Sequence, residues 1–104
     1  MIISTLENVP DKKIKKILGI VKGSTIRSKH IGRDIMAGLT SIIGGELKGY
    51  TEMINEARDE AIGRMVEEGK KLNADAIIGV RLTTSQVVQG AAEVVAYGTA
   101  VNLK

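Results

Sequence analysis

Apolar and polar positions alternate, or form short apolar runs, in the first quarter and the last third of the chain. This period of two is typical of β-strands. We predict four strands, over Ile2–Thr5, Ile14–Ile26, Ala76–Ser85 and Ala91–Leu103. The last two meet near Gln89-Gly90, which predicts an antiparallel hairpin with a loop of several residues.

Between these strands the apolar residues recur at steps of three and four, the period of an amphipathic helix. A short helix is predicted around Ile31–Ile43, with Ser28 as its N-cap and Gly44-Gly45 as its end. A longer helix is predicted from about Tyr50 to Leu72, ended by Asn73 in the left-handed conformation. Its buried stripe comprises Tyr50, Met53, Ile54, Ala57, Ala61, Met65 and Leu72.

The second strand has apolar residues on both faces, since Ile17 and Val21 alternate with Leu18 and Ile20. A single layer of helix covers one face of a sheet, so the other face is a candidate for burial against another subunit. In the last strand the small-residue face is predicted to lie under the long helix; it comprises Val94, Ala96, Gly98 and Ala100. The predicted fold is one α+β domain over residues 1–104, with helices on one face of an antiparallel sheet.

Composition narrows the possible functions. With 43% hydrophobic and 26% charged residues the chain has the composition of an ordinary soluble protein. The chain has no cysteine, which excludes disulfides, thiolate metal sites and cysteine nucleophiles and agrees with a cytoplasmic location. No apolar run approaches the roughly 20 residues of a membrane span, so we expect no membrane partner.

Charge is unevenly distributed along the chain, although the net charge is only +3. Eight of the fifteen basic residues lie between Asp11 and Arg33, and eight of the twelve acidic residues lie between Glu46 and Asp75. A basic stretch attracts phosphates, but single-strand binders add aromatic stacking platforms, and this chain has two tyrosines and no Phe or Trp. We therefore expect complementary solvated surfaces and no nucleic-acid partner.

The sequence offers little catalytic chemistry. It contains no Gly-x-Ser-x-Gly elbow, no Gly-x-Gly-x-x-Gly fingerprint and no phosphate-binding loop of the Gly-x-x-x-x-Gly-Lys-Ser/Thr type. Its single histidine, His30, stands near the cationic Lys29 and Arg33, which opposes binding of a metal cation. We expect a protein with no catalysis of its own and no cofactor.

Five segments occur in an order that resembles the YbjQ family of small bacterial and archaeal proteins. They are Gly32–Leu39, Gly44-Gly45, Glu56-Ala57-Arg58, Ala74-Asp75-Ala76 and Gly98–Val101. The resemblance implies a compact helix-on-sheet unit similar to the dodecin subunit. It also implies assembly as a ring-shaped homopentamer.

Members of that family are often labelled heavy-metal binders, a label that suits this chain poorly, because soft metals favour Cys and His ligands. Relatives commonly carry acids on the strand after Ala74-Asp75-Ala76, where this chain has Arg81 and Thr83. A binding site for a hard cation is an open alternative, because carboxylates cluster on one side of the long helix. Acidic residues near a helix N-terminus also stabilise the helix dipole, which explains the cluster without a cation. These carboxylates are Glu52, Glu56, Asp59 and Glu60.

Arg33 and Asp34 lie in the first family-like segment but off the apolar stripe of their predicted helix. We predict that they contact a neighbouring subunit or line a small-ligand pocket between subunits. Further candidate contacts in the family-like segments are Gly44, Gly45, Glu56 and Arg58. The sequence thus predicts an oligomeric binding or scaffold protein. The alternatives are a cation binder with carboxylates repeated around a homopentameric ring, and an enzyme with an intersubunit site.

Overall fold

The structure is a computed structural model that describes residues 1–28, 44–88 and 90–104, with the backbone alone for residues 44–48. Its strands are β1 (Ile2–Ile3), β2 (Ile14–Ser28), β3 (Ala76–Val88) and β4 (Ala91–Leu103). The helix within the described residues, α1, spans Gly44–Lys71. The strands form one four-stranded sheet in the order β1-β3-β4-β2, and α1 packs on one face of it, which confirms the α+β fold.

The sheet is mixed, so the prediction of a wholly antiparallel sheet is wrong. Strands β3 and β4, and β4 and β2, pair antiparallel, whereas β1 runs parallel to β3 with Ile2 opposite Ala76. Alternation of apolar residues predicts a strand but contains no information on its direction, which is why β1 was misjudged.

The β3–β4 hairpin is tighter than predicted. Val88 pairs with Ala91, which leaves two positions between the strands in place of a loop of several residues. Gly90 takes a φ of 80°, the conformation that short hairpin turns require. Strand β3 accordingly continues to Val88, beyond the predicted end at Ser85.

Helix α1 begins at Gly44, six residues before the predicted start near Tyr50, so Gly44-Gly45 lie within the helix. A glycine within a helix costs about 1 kcal/mol relative to alanine, too little to end a helix of 28 residues that packs along a sheet. Asn73, with a φ of 59°, follows the last helical turn in the left-handed conformation, as predicted. The predicted helix at 31–43, together with His30, lies outside the described residues.

The main core lies between α1 and the small-residue face of β4, as predicted. Ala57, Ala61 and Met65 of the helix are fully buried there. They meet Val94, Ala96 and Ala100 of β4 and Val21 of β2. Tyr50 and Leu72, at the two ends of the predicted stripe, are instead more than one third exposed.

Strand β2 contains a β-bulge that changes which residues share a face. Ile17 pairs with Val101 and Gly19 with Ala100, so two residues of β2 stand opposite one residue of β4. Leu18 therefore packs with the core under α1, and Ile17 shares the opposite face with Ile20. The predicted grouping of Ile17 with Val21 is wrong, because the bulge, which contains Gly19 with a φ of 134°, shifts the alternation by one.

Candidate functional site: the outer face of the sheet

The sheet surface turned away from α1, here called the outer face, carries exposed apolar residues along β2, interrupted by Lys22 and Ser24. Its exposed members on β2 are Ile17 at 67%, Ile20 at 79% and Ile26 at 63% of their surface. Tyr97 of β4 lies on the same face, opposite Lys22, and is 39% exposed. Several large apolar side chains this exposed on one face are typical of an interaction surface.

One end of the outer face is covered by the chain that leads from β1 to β2. Val9 of that segment packs on Ala76, Ile78 and Val101, with Leu103 at the margin. The covered end and the exposed isoleucines are continuous along β2 and β4, because Ile17 pairs with Val101 and Ile20 with Thr99.

A hollow of about 400 Å³ opens at the junction of these two parts. Its aliphatic walls come from Ile14, Ile17, Ile78 and Val101. Its polar lining comes from Glu7, Arg81 and Thr99, and Gly79 completes it. We refer to this cavity as the outer hollow.

A second β-bulge places Arg81 at the outer hollow. Ile78 pairs with Thr99 and Arg81 with Tyr97, so Gly79 and Val80 together stand opposite one residue of β4. Gly79 has a φ of 62°, and Val80 packs into the core under α1, so Arg81 lies on the same face as Ile78. Bulges that redirect one side chain are common beside binding sites.

Hydrogen bonds join this bulge to the segment after β1. The Gly79 amide donates to the Leu6 carbonyl at 2.7 Å and the Val80 amide to the Ser4 carbonyl at 3.0 Å. Arg81 Nη1 donates to the carbonyls of Thr5 at 3.0 Å and Val80 at 2.8 Å. Arg81 thus fixes the segment that carries Glu7 into the same hollow.

The helix side of the sheet carries a polar network centred on Glu60. The Glu60 carboxylate accepts hydrogen bonds from Thr25 Oγ1 at 2.8 Å and Arg27 Nη2 at 2.6 Å, and lies 2.8 Å from Arg64 Nη2. The Thr25 hydroxyl bond, the Arg27 hydrogen bond and the positive charges of both arginines lower the pKa of Glu60. Its carboxylate in turn raises the pKa of Arg27. These contacts fasten α1 to β2.

Two of the residues predicted as contacts have side chains that the structure describes. Glu56 lies beside the same network, with its carboxylate 3.3 Å from Arg27 Nη1. Arg58 is exposed and donates to Asn55 Oδ1, one turn earlier in α1, at 3.5 Å. Gly44 and Gly45 lie in the first turn of α1, and Arg33 and Asp34 lie outside the described residues.

The carboxylates considered for a hard cation do not form a common site within the described part of the chain. Glu56 and Glu60 pair with arginines. No group of three or more His, Asp or Glu side chains there is arranged to hold a metal ion. Further along α1, Glu67 pairs with Lys70 at 3.6 Å.

The sequence prediction missed the outer hollow and its polar residues. Glu7, Arg81 and Thr99 are far apart in the sequence, and no motif links them. The available signal was Gly79, a glycine inside an apolar strand, which often marks a bulge.

Among the helices that the structure describes, none has both the length and the hydropathy to cross a membrane.

Comparison with known proteins places the fold and the family. A solved structure from Pediococcus pentosaceus, described as a protein of unknown function of the DUF74 family, aligns with a TM-score of 0.69 at 21% identity and covers 100% of this chain and 98% of that one. This likeness shows the fold.

Sequence relatives are much closer. A UPF0145 protein of Archaeoglobus fulgidus is 57% identical over 104 residues, covering 100% of this chain and 96% of the relative. One from Vibrio campbellii is 57% identical over 103 residues, covering 99% of each chain. One from Thermus thermophilus is 55% identical over 104 residues, covering 100% and 91%. The YbjQ family model, described as "Putative heavy-metal-binding", matches residues 1–104, and the chain therefore belongs to the YbjQ family.

Proposed function

We propose that this protein is a self-assembling binding or scaffold module of the cytoplasm, without catalysis of its own, in which copies of the chain cover one another's outer faces. The observation that carries the proposal is the row Ile17, Ile20 and Ile26, each more than 60% exposed on the face that α1 does not cover. The ring-shaped homopentamer implied by the family resemblance is the assembly we propose.

The energetics favour association through this face. Burying an exposed isoleucine side chain is worth about 1.5–3 kcal/mol, so three such residues contribute a large part of the free energy of a stable interface. Helix α1 already buries the other face of β2 and β4, so the outer face is where the described part of the sheet gains most from a partner. A second copy offers an equally apolar surface.

Native mass spectrometry of the untagged protein, compared with its denatured mass, tests the proposal. We expect a pentamer for the wild-type chain. We expect the Ile20→Lys variant to dissociate, because a buried ammonium group in an apolar interface costs several kcal/mol. Leu72→Lys is the matched control, since Leu72 is 42% exposed but lies beyond the end of α1, away from the outer face.

A monomeric wild-type chain at roughly micromolar concentration would contradict the proposal, because interfaces of this kind hold at that concentration. An oligomer that survives Ile20→Lys would show that copies meet through another surface. Retained extra mass in the native spectrum would direct attention to a bound ligand.

The two alternatives have less support. A cation site built from ring-repeated carboxylates would depend on Glu52 and Asp59, because Glu56 and Glu60 pair with arginines. Elemental analysis of untagged protein tests that alternative directly. An enzyme with an intersubunit site would show turnover that is lost when Arg33 is substituted.

A further inference from the structure

The outer hollow has the chemistry of a small zwitterion site. It joins one cationic side chain, Arg81, and one anionic side chain, Glu7, to aliphatic walls within one cavity. Among the described residues these two side chains do not pair with each other, since no ion pair within 4.0 Å joins them. Neither charge is therefore neutralised by the other.

The size and lining agree with a small molecule. A volume of about 400 Å³ lies in the range of cavities that bind metabolites, which combine apolar walls with a few polar groups. Ile14, Ile17 and Ile78 accept a branched aliphatic group, and Thr99 adds a hydroxyl that both donates and accepts. A metal cation is disfavoured, because Arg81 repels it and Glu7 is the single carboxylate in the lining.

From these observations we propose that the outer hollow binds a free α-amino acid with a branched aliphatic side chain. Arg81 pairs with the carboxylate, for which the guanidinium fork is well suited. Glu7 pairs with the ammonium group, and the isoleucines and Val101 enclose the side chain. The inference rests on the binding role proposed above and names its ligand class; because Ile17 belongs both to the outer hollow and to the proposed interface, the site lies where two copies meet.

Two structural features support a site that is shaped before the ligand arrives. Gly19 and Gly79, each within a β-bulge, lie beside the walls formed by Ile17 and Ile78, where the bulges bend both strands. The two bonds of Arg81 Nη1 to backbone carbonyls hold the guanidinium in place. A preorganised site loses less conformational entropy on binding.

Isothermal titration with leucine as the probe tests the inference on the intact chain. We expect saturable binding to the wild-type protein. Leucinamide lacks the carboxylate and N-acetylleucine lacks the ammonium group, and each is expected to bind at least about tenfold more weakly, since each loses a charged hydrogen bond. If leucinamide binds as well as leucine, Arg81 does not recognise the carboxylate and the assignment of a free amino acid is overturned.

The Glu7→Gln variant separates binding from folding, because Glu7 is exposed and keeps its size as glutamine. We expect it to weaken leucine binding about tenfold or more and to leave the binding of N-acetylleucine unchanged. Glu52→Gln, an exposed carboxylate of α1 outside the hollow, is the control and should bind like the wild type.

No saturable leucine binding at roughly 10 mM by the folded wild-type protein would overturn the inference, as would equal binding by Glu7→Gln. Either result leaves the oligomer measured by native mass spectrometry unaffected. Failure of the ligand assignment is thus distinguishable from failure of the self-assembly proposal.

Discussion

The two faces of the sheet differ in how their apolar residues are used. Under α1 the residues of β2 and β4 that face the helix are mostly small, and the helix backbone comes so close that a Cβ at Gly23 would clash with the Ala61 carbonyl oxygen. On the outer face the residues are large, and Ile20 has 79% of its surface exposed. The first face is completed within one chain, and the second has the character of an interface. Hydrophobicity alone therefore does not distinguish a core from a docking surface.

Among the variants that test this contrast, Gly23→Ala is expected to change the stability of the fold the most. The added methyl group would meet backbone atoms of Ala61 and Met65, which cannot move without shifting α1. We expect a loss of about 4 kcal/mol in the free energy of unfolding, measured by urea denaturation. Gly63→Ala is the control, because a Cβ there meets no atom within 4 Å, and this change should stabilise the helix slightly. Equal stability of the two variants would refute the close packing.

A smaller effect is expected from truncating one large side chain on each face. Met65→Ala removes a fully buried side chain and should cost about 3 kcal/mol. Ile20→Ala should change the unfolding free energy of the dissociated chain by less than about 1 kcal/mol and act mainly on self-association. Denaturation at low protein concentration, paired with size-exclusion chromatography, separates the two effects. The contrast between the faces fails if Ile20→Ala destabilises the isolated chain as much as Met65→Ala.

The smallest expected change in stability comes from the polar network between α1 and β2, and it depends on pH. The folded-state pKa of Glu60 lies below its usual 4.5, so its ionised form stabilises the fold above that pH. This contribution is lost as the pH falls through the lowered value. We expect the stability difference between wild type and Glu60→Gln to be constant near neutrality and to shrink below about pH 4.5.

Thermal melts over that pH range measure this difference. The control is Glu68→Gln, since Glu68 pairs only loosely with the exposed Lys71 ammonium group, at 3.4 Å. A difference for Glu60→Gln that does not depend on pH would exclude the network as its origin.

The sequence predicted the parts of the fold that depend on regular periodicity. Ala57, Ala61 and Met65 recur at helical spacing, and Val94, Ala96 and Ala100 alternate along β4, so their contact could be foreseen. The prediction placed Ile17 and Leu18 on the wrong faces of the sheet because of the bulge at Gly19. A single extra residue in a strand leaves the apolar pattern almost unchanged, so the bulge could not be seen in the sequence.

The outer hollow could not be predicted in the same way. Its residues come from the segment after β1 and from three strands, and their meeting depends on the parallel pairing of β1 with β3. Local patterns contain no information on that pairing. Arg81 was noted only as a departure from the acids of relatives, because its position on the outer face depends on the bulge at Gly79.

The bulges at Gly19 and Gly79 act as single-residue insertions in otherwise regular strands. On either side of each glycine the alternation resumes, so that Ile17 and Ile20, or Ile78 and Arg81, share a face. Deleting one glycine would straighten a strand and leave the composition of both faces as it is. The curvature of this sheet is thus encoded separately from its hydrophobic pattern. During evolution, the insertion or deletion of one codon can therefore change the shape of the cavity and leave the core intact.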